Sequence, residues 1–396
     1  MKILYLWDAD YPWDVRVEKI CKSLHVNGHE VHIAARNLKK LQKYEVIDGL
    51  VIHRLPVWKS DRLNYIFSFP LFFSPVWMRF LRKIVTQEGI DLVMVRDLPL
   101  AISGIWIAKQ FKIPSVLDMA EDYVALVKSI WDLRKFQSLN LIVRNPYFAK
   151  LVERYSLPKF DRIMIVVDEA KNVVLDAGVE EKNVVLVGNT PNIEKTRQTS
   201  DSNSDHDESI SRITESYSLI YTGGVTLGRG LQEVIKIIPD IVERIPDFLL
   251  VVVGTGYAVE KLKKMAAELE VENRIIWSGW VDHNELYKYI NAANIGIIPH
   301  YRSTHVDTTI PNKIFDYMGC GLPVIASDSP PMKRVVEETN VGRAYQCKDG
   351  DSLRQAIFEI FESNEDYGTN GIKAVEEIYN WNVDESRLLT MIESLN

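Results

Sequence analysis

The stretch Thr308–Asp328, TTIPNKIFDYMGCGLPVIASD, combines a loop, a short helix and a buried strand. Thr308 and Thr309 are residue types that cap a helix start, and Pro311 is tolerated in a first helical turn. Apolar residues then recur at helical spacing until two glycines interrupt the pattern. Pro323–Ala326 follows as a short apolar run. The stretch therefore predicts the loop–helix–strand unit of an α/β domain.

This unit has the groups that a nucleotide needs. A helix start offers unpaired N–H groups and a partial positive charge, which suit a phosphate. Lys313 adds a full positive charge there, and Asp316, one turn further on, can accept hydrogen bonds from two sugar hydroxyls. An ordinary helix start in an α/β domain explains the same residues, and this stretch alone leaves both interpretations open.

The segment Gly321–Ser327, GLPVIAS, resembles the donor site of the retaining glycosyltransferases of family 4, which have the GT-B fold. In that family an E-x7-E pattern precedes the strand. Here Thr308 stands at the first glutamate position and Asp316 at the second. The resemblance implies that Asp316 binds the ribose and that the donor also contacts Thr308, Thr309, Pro311 and Asn312.

The composition limits the classes of function. A chain of 396 residues is too long for one ordinary core and predicts two domains. Its net charge of −7 gives no support to a nucleic-acid partner. Three scattered cysteines predict neither a disulfide framework nor a zinc site, and we expect a reducing compartment. The N-terminus is typical of a first strand rather than a signal peptide, and no apolar run reaches the ~20 residues of a spanning helix.

The resemblance extends over nearly the whole chain and implies two Rossmann-like doubly wound parallel-sheet domains facing a central cleft. We expect an acceptor-binding domain over residues 1–190 and a nucleotide-sugar-binding domain over residues 191–379. A C-terminal helix over residues 380–396 is expected to pack back onto the first domain. The polar segment Lys195–Ser216 between the domains is expected to be a mobile surface segment.

The N-terminal sequence indicates a βαβ opening and hence a parallel sheet. Ligands of such sheets bind beyond the carboxyl ends of the strands, where Asp14 and Arg16 are expected to meet an acceptor. Asp8 and Asp10 imitate a metal-binding Asp-x-Asp motif, but their place at the end of a first strand favours loop acids. We predict no metal.

Two further acids follow the strand Pro114–Asp118. Glu121 and Asp122 are candidates for a base or an orienting group for the acceptor hydroxyl, or they are acids that start a helix. In the related enzymes a histidine near the sugar often stands where this chain has Ala120. Further along, Trp131–Tyr155 is predicted to be helical.

Arg62–Lys83, RLNYIFSFPLFFSPVWMRFLRK, concentrates aromatic residues between cations. Two prolines interrupt it, so it is not a membrane span. The pattern is compatible with a helix pair in the core of the first domain or with contact to the headgroup region of a membrane. We therefore expect a cytoplasmic protein that contacts the inner face of the membrane peripherally.

In the second half, Gly223 and Gly224 follow a strand and precede Arg229. The loop fails as a Walker A motif, since Arg229 and the glycine after it replace its Lys and Ser/Thr. It resembles the diphosphate loop of the family, with Gly224 where the first cation stands and Arg229 at the second. Lys313 or Arg302 is expected to supply the missing contact.

The remaining donor contacts are implied by the resemblance. Gly254 and Gly256 match the loop after the next strand, and Trp280 and Val281 match the base-binding turn. A core-packed aromatic turn is the alternative for Trp280. His300 and His305, in the polar loop before Thr308, could contact sugar hydroxyls, but without a nearby ligand set they are interpreted as solvated.

Together with the resemblance, these patterns predict a retaining, metal-independent transferase that needs no cofactor. The enzyme is expected to move a hexosyl group from a UDP- or GDP-linked sugar to a glycan or lipid-linked acceptor. The setting expected from the family is cell-envelope or extracellular polysaccharide or glycolipid synthesis. Arg229, Lys313 and helix N-termini would stabilise the leaving diphosphate. Two alternatives stay open: a nucleotide-sugar 2-epimerase of the same fold and a nucleotide-sugar-binding protein without transferase activity.

Overall fold

The computed structural model of the chain describes residues 1–12, 14–69, 72–131, 144–192 and 208–395. The chain divides into two compact units, one of Met1–Asn189 with Asp384–Asn396 and one of Thr190–Val383. Each unit is built around a mainly parallel sheet, so the predicted fold class of two doubly wound domains is confirmed. Among the described helices, none has both the length and the apolar character that crossing a membrane requires.

The first unit contains an eight-stranded sheet. Its strands are β1 (Lys2–Asp10), β2 (Glu30–Arg36), β3 (Tyr44–Ile47), β4 (Leu50–Arg54), β5 (Leu92–Arg96), β6 (Ser115–Met119), β7 (Arg162–Ile165) and β8 (Val184–Leu186). They lie in the order β3-β4-β2-β1-β5-β6-β7-β8, and all neighbours are parallel except the antiparallel pair β3 and β4. The described helices are α1 (Val15–Val26), α2 (Asp61–Ser68), α3 (Pro75–Glu88), α4 (Ala101–Phe111), α5 (Tyr123–Trp131), α6 (Pro146–Ser156) and α7 (Lys171–Asp176).

The second unit contains a six-stranded, fully parallel sheet. Its strands are β9 (Tyr217–Thr222), β10 (Phe248–Val253), β11 (Ile275–Gly279), β12 (Ile295–Ile298), β13 (Val324–Ser327) and β14 (Gly342–Tyr345), in the order β11-β10-β9-β12-β13-β14. The helices are α8 (Glu208–Thr214), α9 (Leu231–Val242), α10 (Val259–Glu268), α11 (His283–Ala292), α12 (Lys313–Gly319), α13 (Pro330–Thr339), α14 (Gly350–Glu362), α15 (Tyr367–Glu377) and α16 (Trp381–Glu393), the last of which belongs to the first unit from Asp384 onward.

The central strands are continuous apolar runs because helices cover both faces of a parallel sheet. All six residues of β10, FLLVVV, are buried. Their side chains alternate between two hydrophobic clusters, with Phe248, Leu250 and Val252 in one and Leu249, Val251 and Val253 in the other. The core of the second unit is therefore two layers, one on each face of the sheet.

In each unit the strand order reverses between two central neighbours. The first unit builds outward in opposite directions from β1 and β5, and the second does so from β9 and β12. Helices leave the two sides of such a junction in opposite directions, which opens a crevice beyond the carboxyl ends of the strands. These two junctions are therefore the places where each unit is expected to hold a ligand.

Some local predictions need correction. Helix α12 begins at Lys313, whereas Thr308 ends a separate 3₁₀ turn, so the predicted helix start at the threonines is wrong. In Lys195–Ser216, Glu208–Thr214 forms α8, which corrects the predicted irregular segment there; residues 193–207 lie outside the described residues. Of the predicted helix Trp131–Tyr155, residues 132–143 also lie outside them.

Candidate functional site

Two glycine-containing loops follow β9 and β10 and lie directly on each other. The Gly223 N–H donates a hydrogen bond to the Val253 carbonyl at 2.8 Å. A Cβ on Gly254 would stand 2.0 Å from the Gly223 carbonyl oxygen, and one on Gly256 would stand 2.0 Å from the Val225 carbonyl oxygen. The structure thus gives Gly254 and Gly256 a packing reason, and their contact with a donor stays a prediction.

Gly223 and Gly224 differ in what surrounds them. Gly223 has a φ of +111°, and a Cβ on it would lie 3.3 Å from Lys313 Nζ. Gly224 faces open space, since a Cβ there would meet no atom within 4 Å. Its carbonyl accepts a hydrogen bond from the Tyr221 hydroxyl at 2.7 Å. The loop therefore places Gly223 beside a cation and leaves the other glycine uncovered.

Arg229 ends a 3₁₀ turn that lies against the end of β12. The next residue, Gly230, has a φ of +73°, and a Cβ on it would stand 1.8 Å from the Pro299 carbonyl oxygen. Only glycine permits this approach. It brings Arg229 Nη1 to 2.9 Å from His300 Nδ1. The reversal point between β9 and β12 thus holds an arginine and a histidine in contact.

His300 is only 1% exposed, which corrects the interpretation of this residue as solvated, while His305 is partly buried. Burial, and after it the charges of Lys313 and Arg229, hold the pKa of His300 well below its ordinary value. A neutral imidazole can accept a hydrogen bond from Arg229. A signal was present in the sequence: His300 follows a buried strand at its carboxyl end.

Lys313 is the first residue of α12, and its charge lies near that of Arg229. Its Nζ lies 3.9 Å from the centroid of the Tyr221 ring. Burial and then the charge of Arg229 lower its pKa well below the ordinary value, and Asp316 acts in the opposite direction. In the part of the chain that the structure describes, neither Arg229 nor Lys313 forms an ion pair with a carboxylate. A bound anion of two or more negative charges would offset the charges of both side chains.

The other hypothetical phosphate contact, Arg302, is already paired. Its Nη2 lies 3.0 Å from Asp307 Oδ2, and its Nη1 lies 3.7 Å from Asp328 Oδ2. The hydrogen bond to Asp307 is the first cause that raises the pKa of Arg302. Lys313 therefore fits the missing contact better than Arg302 does.

The two threonines before α12 use their hydroxyls inside their own loop. Thr308 Oγ1 donates to the Thr304 carbonyl at 2.9 Å, and Thr309 Oγ1 donates to the His305 carbonyl at 2.9 Å. Neither caps α12, whose N-cap residue, Asn312, makes no side-chain capping bond. The threonines hold the loop in front of the cations, and a sugar contact by them stays a prediction.

Asp316 lies one turn into α12 on a half-buried face. Its Oδ1 accepts a hydrogen bond from the Tyr287 hydroxyl of α11 at 3.2 Å. The charge of Asp316 is felt by Lys313, so the predicted phosphate and ribose groups belong to one electrostatic site. Pro311 and Asn312, which precede it, are partly buried and exposed respectively, and their donor contacts stay predictions.

The turn after β11 separates two neighbouring side chains. Trp280 is 76% exposed, which excludes the alternative of an aromatic turn packed on the core. Val281 is half-buried and packs against the hydrophobic cluster around Val253. The exposed ring of Trp280 is available to stack on a flat ligand such as a nucleobase.

The reversal point of the first unit carries a pair of aspartates. Leu6 of β1 pairs with Val95 of β5, and Asp8 and Asp97 each follow two residues later, near the carboxyl ends of these strands. The charge of Asp97 raises the pKa of Asp8, so the two carboxyl groups lie near each other. Burial is the main cause that raises the pKa of each carboxyl group to about 6. The charge of Asp97 raises the pKa of Asp8 further, while nearby arginines lower both pKa values. The pair is a carboxyl site at the edge where the acceptor was expected.

Asp97 has a backbone conformation that few residues adopt. Its φ is 56° and its ψ is −177°, a region that is essentially reserved for glycine. The backbone is held there by the Ala120 N–H, which donates to Asp97 Oδ1 at 2.9 Å, and by Arg96 Nε, which donates to Oδ2 at 3.0 Å. Non-glycine strain of this kind clusters at functional sites. The sequence marked the end of this strand but not the role of Asp97.

The predicted acceptor residues Asp14 and Arg16 have structural partners. Asp14 caps α1 by accepting hydrogen bonds from the Arg16 and Val17 N–H groups at 3.0 Å. Arg16 is 2% exposed, and its Nη2 lies 2.6 Å from Asp118 Oδ1. Its other side-chain nitrogens bond to Asp118 and to the Gly188 carbonyl. Because its guanidinium is buried and occupied, the prediction that Arg16 faces an acceptor is wrong.

The two acids after β6, Glu121 and Asp122, differ in their exposure and in their contacts. Asp122 is 4% exposed and caps α5, since its Oδ1 accepts a hydrogen bond from the Ala125 N–H at 2.9 Å. This capping role corrects the prediction that Asp122 is a base for the acceptor. Glu121 is exposed and lines a small pocket with Tyr123 and Glu153, and its predicted role stays a prediction.

The aromatic segment divides between the core and the surface. Phe69, Phe72 and Trp77 are buried, and Trp77 Nε1 donates to the Ser68 carbonyl at 3.2 Å. The remaining exposed rings of α2, α3 and their connection belong to Tyr65, Phe67 and Phe73. The core interpretation is therefore right for three of the seven aromatic residues, three others are exposed, and Phe80 is half-buried.

Comparison with known proteins adds the family. Residues 14–190 match the model of the family described as "Glycosyl transferase 4-like domain", and residues 203–374 match "Glycosyl transferases group 1". The chain belongs to the glycosyltransferases with the GT-B fold. Each match covers most of a different unit, and each unit carries one of the two reversal-point sites.

Individual relatives are distant but span most of the chain. An uncharacterized glycosyltransferase of Methanocaldococcus jannaschii is 22% identical over 93% of this glycosyltransferase and 91% of its own length. An alpha-monoglucosyldiacylglycerol synthase of Streptococcus pneumoniae is 23% identical over 90% of this chain and 76% of its own length.

Solved structures show the same fold at lower identity. Sucrose-phosphate synthase from Thermosynechococcus elongatus superposes with a TM-score of 0.73 at 16% identity, covering 100% of this chain and 98% of that one. HepE of Anabaena in complex with UDP gives a TM-score of 0.71 at 13% identity, covering 100% of both chains.

Proposed function

We propose that the protein transfers a hexosyl group from a nucleotide-sugar to an acceptor hydroxyl with retention of anomeric configuration. The observation that carries the proposal is the pair Arg229 and Lys313, two cations beside a glycine loop at the reversal point of the second sheet, neither of which has a carboxylate partner among the described residues. A diphosphate supplies the charge that this pair needs. Asp316 and the exposed Trp280 support the ribose and base ends of the same ligand.

The donor that we propose is UDP- or GDP-linked. HepE, a structural neighbour, is described in complex with UDP and with UDP-glucose, which favours a UDP-sugar among these donors. During transfer, the side chains of Arg229 and Lys313 would stabilise the negative charge that develops on the leaving diphosphate. Since these cations can perform that task, we propose that the donor site works without a divalent metal.

We further propose a lipid-linked or cell-envelope acceptor at a membrane surface. Two features support this: the exposed aromatic rings of Tyr65, Phe67 and Phe73, and the relative from Streptococcus pneumoniae that is named alpha-monoglucosyldiacylglycerol synthase. Aromatic rings flanked by cations are typical of segments that lie in the headgroup region. The chain would then work at the inner face of the membrane.

The test is a thermal-shift screen with UDP, GDP and their sugars in the presence of a chelator, followed by a transfer assay with lipid and glycan acceptors. A ligand present at about 100 times its Kd stabilises the folded state by roughly 2.7 kcal/mol. We expect one nucleotide class to raise the unfolding midpoint and the product to keep the anomeric configuration of the donor. Absence of any shift, or transfer that is lost with chelator and restored by Mn²⁺ or Mg²⁺, would contradict the proposal.

On the acceptor side, we propose that Asp8 and Asp97 hold the incoming hydroxyl. At a pKa of about 6 the pair changes its total charge within the range in which enzymes work. The charged and titratable groups that face the pair are Arg36 on β2, Arg96 on β5, Asp118 on β6, and Glu121 and Tyr123 at the start of α5.

Replacing Asp8 by asparagine is expected to stabilise the protein at neutral pH. An aspartate whose pKa is raised on folding binds its proton more tightly in the folded state. Its unfavourable contribution therefore begins near the unfolded pKa of about 4, grows as the pH rises, and is constant above the folded pKa of about 6. Asp8→Asn removes this contribution, so its gain should rise from pH 5 to pH 7, to on the order of 2 kcal/mol.

Urea denaturation at several pH values measures this gain. The matched control is Asp168→Asn, which changes an exposed aspartate of the same unit. The control is expected to follow the unchanged protein at every pH. A gain for Asp8→Asn that is the same at pH 5 and pH 8 would show that the raised pKa of Asp8 is not its source.

A further inference from the structure

Two buried histidines and a glutamate of the first unit converge at a place that the transfer reaction does not use. His32 lies on β2, His53 lies on the neighbouring β4, and Glu88 is the last residue of α3. One ligand atom from each lies within 4.8 Å of the other two. His32 and His53 are 1% and 8% exposed, and Glu88 is half-buried. Their spacing along the chain matches no metal-binding motif, so the sequence alone does not predict this cluster.

We propose that His32, His53 and Glu88 bind a zinc-class divalent cation. His32 Nδ1 lies 3.0 Å from His53 Nε2. Two imidazole nitrogens bound tetrahedrally at 2.0–2.1 Å from one Zn²⁺ are separated by about 3.3 Å. A movement of a few tenths of an ångström therefore turns the histidine pair into two ligands, and the Glu88 carboxylate provides the third.

The orientation of His32 favours this role. Its other ring nitrogen, Nε2, lies 3.0 Å from Glu30 Oε1, and Lys2 Nζ lies 3.2 Å from the same oxygen. A carboxylate that accepts from the far nitrogen keeps the proton there and directs the Nδ1 lone pair at the metal. Glu30 thus provides the outer partner that metal-binding histidines usually have.

Metal binding would replace one N–H···N hydrogen bond by two metal–nitrogen bonds. The proton on His53 Nε2 moves to Nδ1 of the same ring by exchange with solvent, so each ring binds as the neutral imidazole. No bond to carbon changes and no oxidant is needed. Two imidazoles with one carboxylate suit Zn²⁺ and its neighbours Ni²⁺ and Cu²⁺, whereas Mg²⁺ and Ca²⁺ prefer oxygen ligands.

The expected role is to fasten the end of α3 to the sheet. The helix ends at Gly89, whose N–H donates to the Val85 carbonyl at 3.1 Å, so Glu88 is held at a defined terminus. Without a cation, the hydrogen bonds and ion pairs that the structure describes for the cluster join strands β1, β2 and β4, and none of them reaches α3. With it, α3, which carries part of the aromatic segment, is tied to β2 and β4. The site is separate from the aspartate pair, because Glu88 and the first half of β2 lie toward the amino ends of the strands.

The test uses the full chain, freed of metal by a chelator and dialysed. Zn²⁺ is titrated by calorimetry, and Co²⁺ serves as a spectroscopic probe of tetrahedral nitrogen and oxygen ligation. We expect one equivalent of Zn²⁺ to bind, to raise the unfolding midpoint and to slow amide exchange in α3, while Mg²⁺ does neither. Glu88→Gln, which changes a half-buried side chain, is expected to weaken Zn²⁺ binding at least about 10-fold, and His53→Gln is expected to abolish it.

The control His29→Gln changes a histidine of the same unit outside the cluster and should bind Zn²⁺ like the unchanged protein. Binding that is equally strong in Glu88→Gln and His53→Gln, or binding that is lost in His29→Gln, would overturn the proposal, as would no binding at all. The stabilisation by UDP or GDP is expected to be the same with and without Zn²⁺. Failure of this site therefore leaves the proposed transfer reaction untouched, and the reverse also holds.

Discussion

Replacing Lys313 by methionine is expected to abolish nucleotide binding and, at the same time, to stabilise the nucleotide-free protein. In the free protein the Lys313 ammonium is desolvated and lies beside Arg229, which lowers its pKa well below the ordinary value. A lysine with a lowered folded pKa disfavours the folded state, because the unfolded chain binds the proton more tightly. Methionine has a similar length without the charge, so it removes this unfavourable contribution.

The same substitution removes a cation from the leaving group. Loss of one preorganised electrostatic contact to a transition state costs about 10²–10³-fold in kcat. We expect Lys313→Met to lose transfer by that factor and to show no thermal shift with UDP or GDP. Without nucleotide its unfolding midpoint should rise, by ~2–4 °C for each kcal/mol gained. A stability gain that accompanies lost function distinguishes a ligand site from a structural cation.

The control is Lys261→Met, an exposed lysine on α10 of the same unit, which should change neither quantity. Arg229→Met is expected to behave like Lys313→Met, and the double variant should lose little more than either one, because both cations act on one diphosphate. A Lys313→Met protein that is less stable than the unchanged chain and still responds to nucleotide would contradict the assignment.

Binding should also be linked to proton uptake. The diphosphate brings negative charge to Lys313, which raises its pKa toward the ordinary value. In the pH range between the lowered pKa of the free protein and the higher pKa of the complex, binding is therefore expected to be accompanied by proton uptake at Lys313. Calorimetry in buffers of different ionisation enthalpy measures that uptake, and Lys313→Met should abolish it.

The sequence predicted the scaffold well because the scaffold depends on local patterns. Apolar runs such as FLLVVV predict buried strands, and glycine after a strand predicts a close backbone approach. The cations Arg229 and Lys313 were also predictable, since Arg229 follows the glycine loop after a strand and Lys313 stands at a helix start. These features need no knowledge of which distant segments meet.

What the sequence could not give are partners far apart along the chain. Arg16 and Asp118 are separated by 102 residues, and only the sheet order brings β6 beside the start of α1. Asp97 is distinguished by its backbone conformation, which cannot be predicted from the residue type alone. The sequence shows no ligand set near His300 and so favours a solvated histidine, whereas in the structure the close approach of Gly230 to Pro299 brings Arg229 against it. Such features follow from tertiary packing.

Replacing Arg16 by methionine is expected to destabilise the protein by about 3–5 kcal/mol, as is usual when one partner of a buried ion pair is removed. Asp118 is 0% exposed, and its carboxylate accepts hydrogen bonds from Arg16 Nε at 2.9 Å and from the Tyr5 hydroxyl at 2.5 Å. Burial would raise the pKa of Asp118, but the charges of Arg16 and Arg96 outweigh it and lower that pKa. Without Arg16 a carboxylate stays buried with less compensation.

The arginine also fastens the end of the first unit. Its Nη1 donates to the Gly188 carbonyl at 2.8 Å and its Nη2 donates to the Val187 carbonyl at 3.0 Å, just after β8. Arg16→Lys keeps the charge but cannot make these forked bonds, so it should also lose stability, though less than Arg16→Met. The exposed Arg154→Met on α6 is the control and should be close to neutral.

The pH dependence identifies the source of the loss. A carboxyl group whose folded pKa is lowered stabilises the protein above its unfolded pKa of about 4, and this contribution disappears as the pH falls through the folded pKa. Arg16→Met raises the pKa of Asp118, so its deficit in urea denaturation should be largest at neutral pH and shrink toward pH 4. The double variant Arg16→Met/Asp118→Leu should recover part of the loss. A deficit independent of pH and unchanged in the double variant would instead indicate that lost packing, rather than the unpaired carboxylate, destabilises the chain.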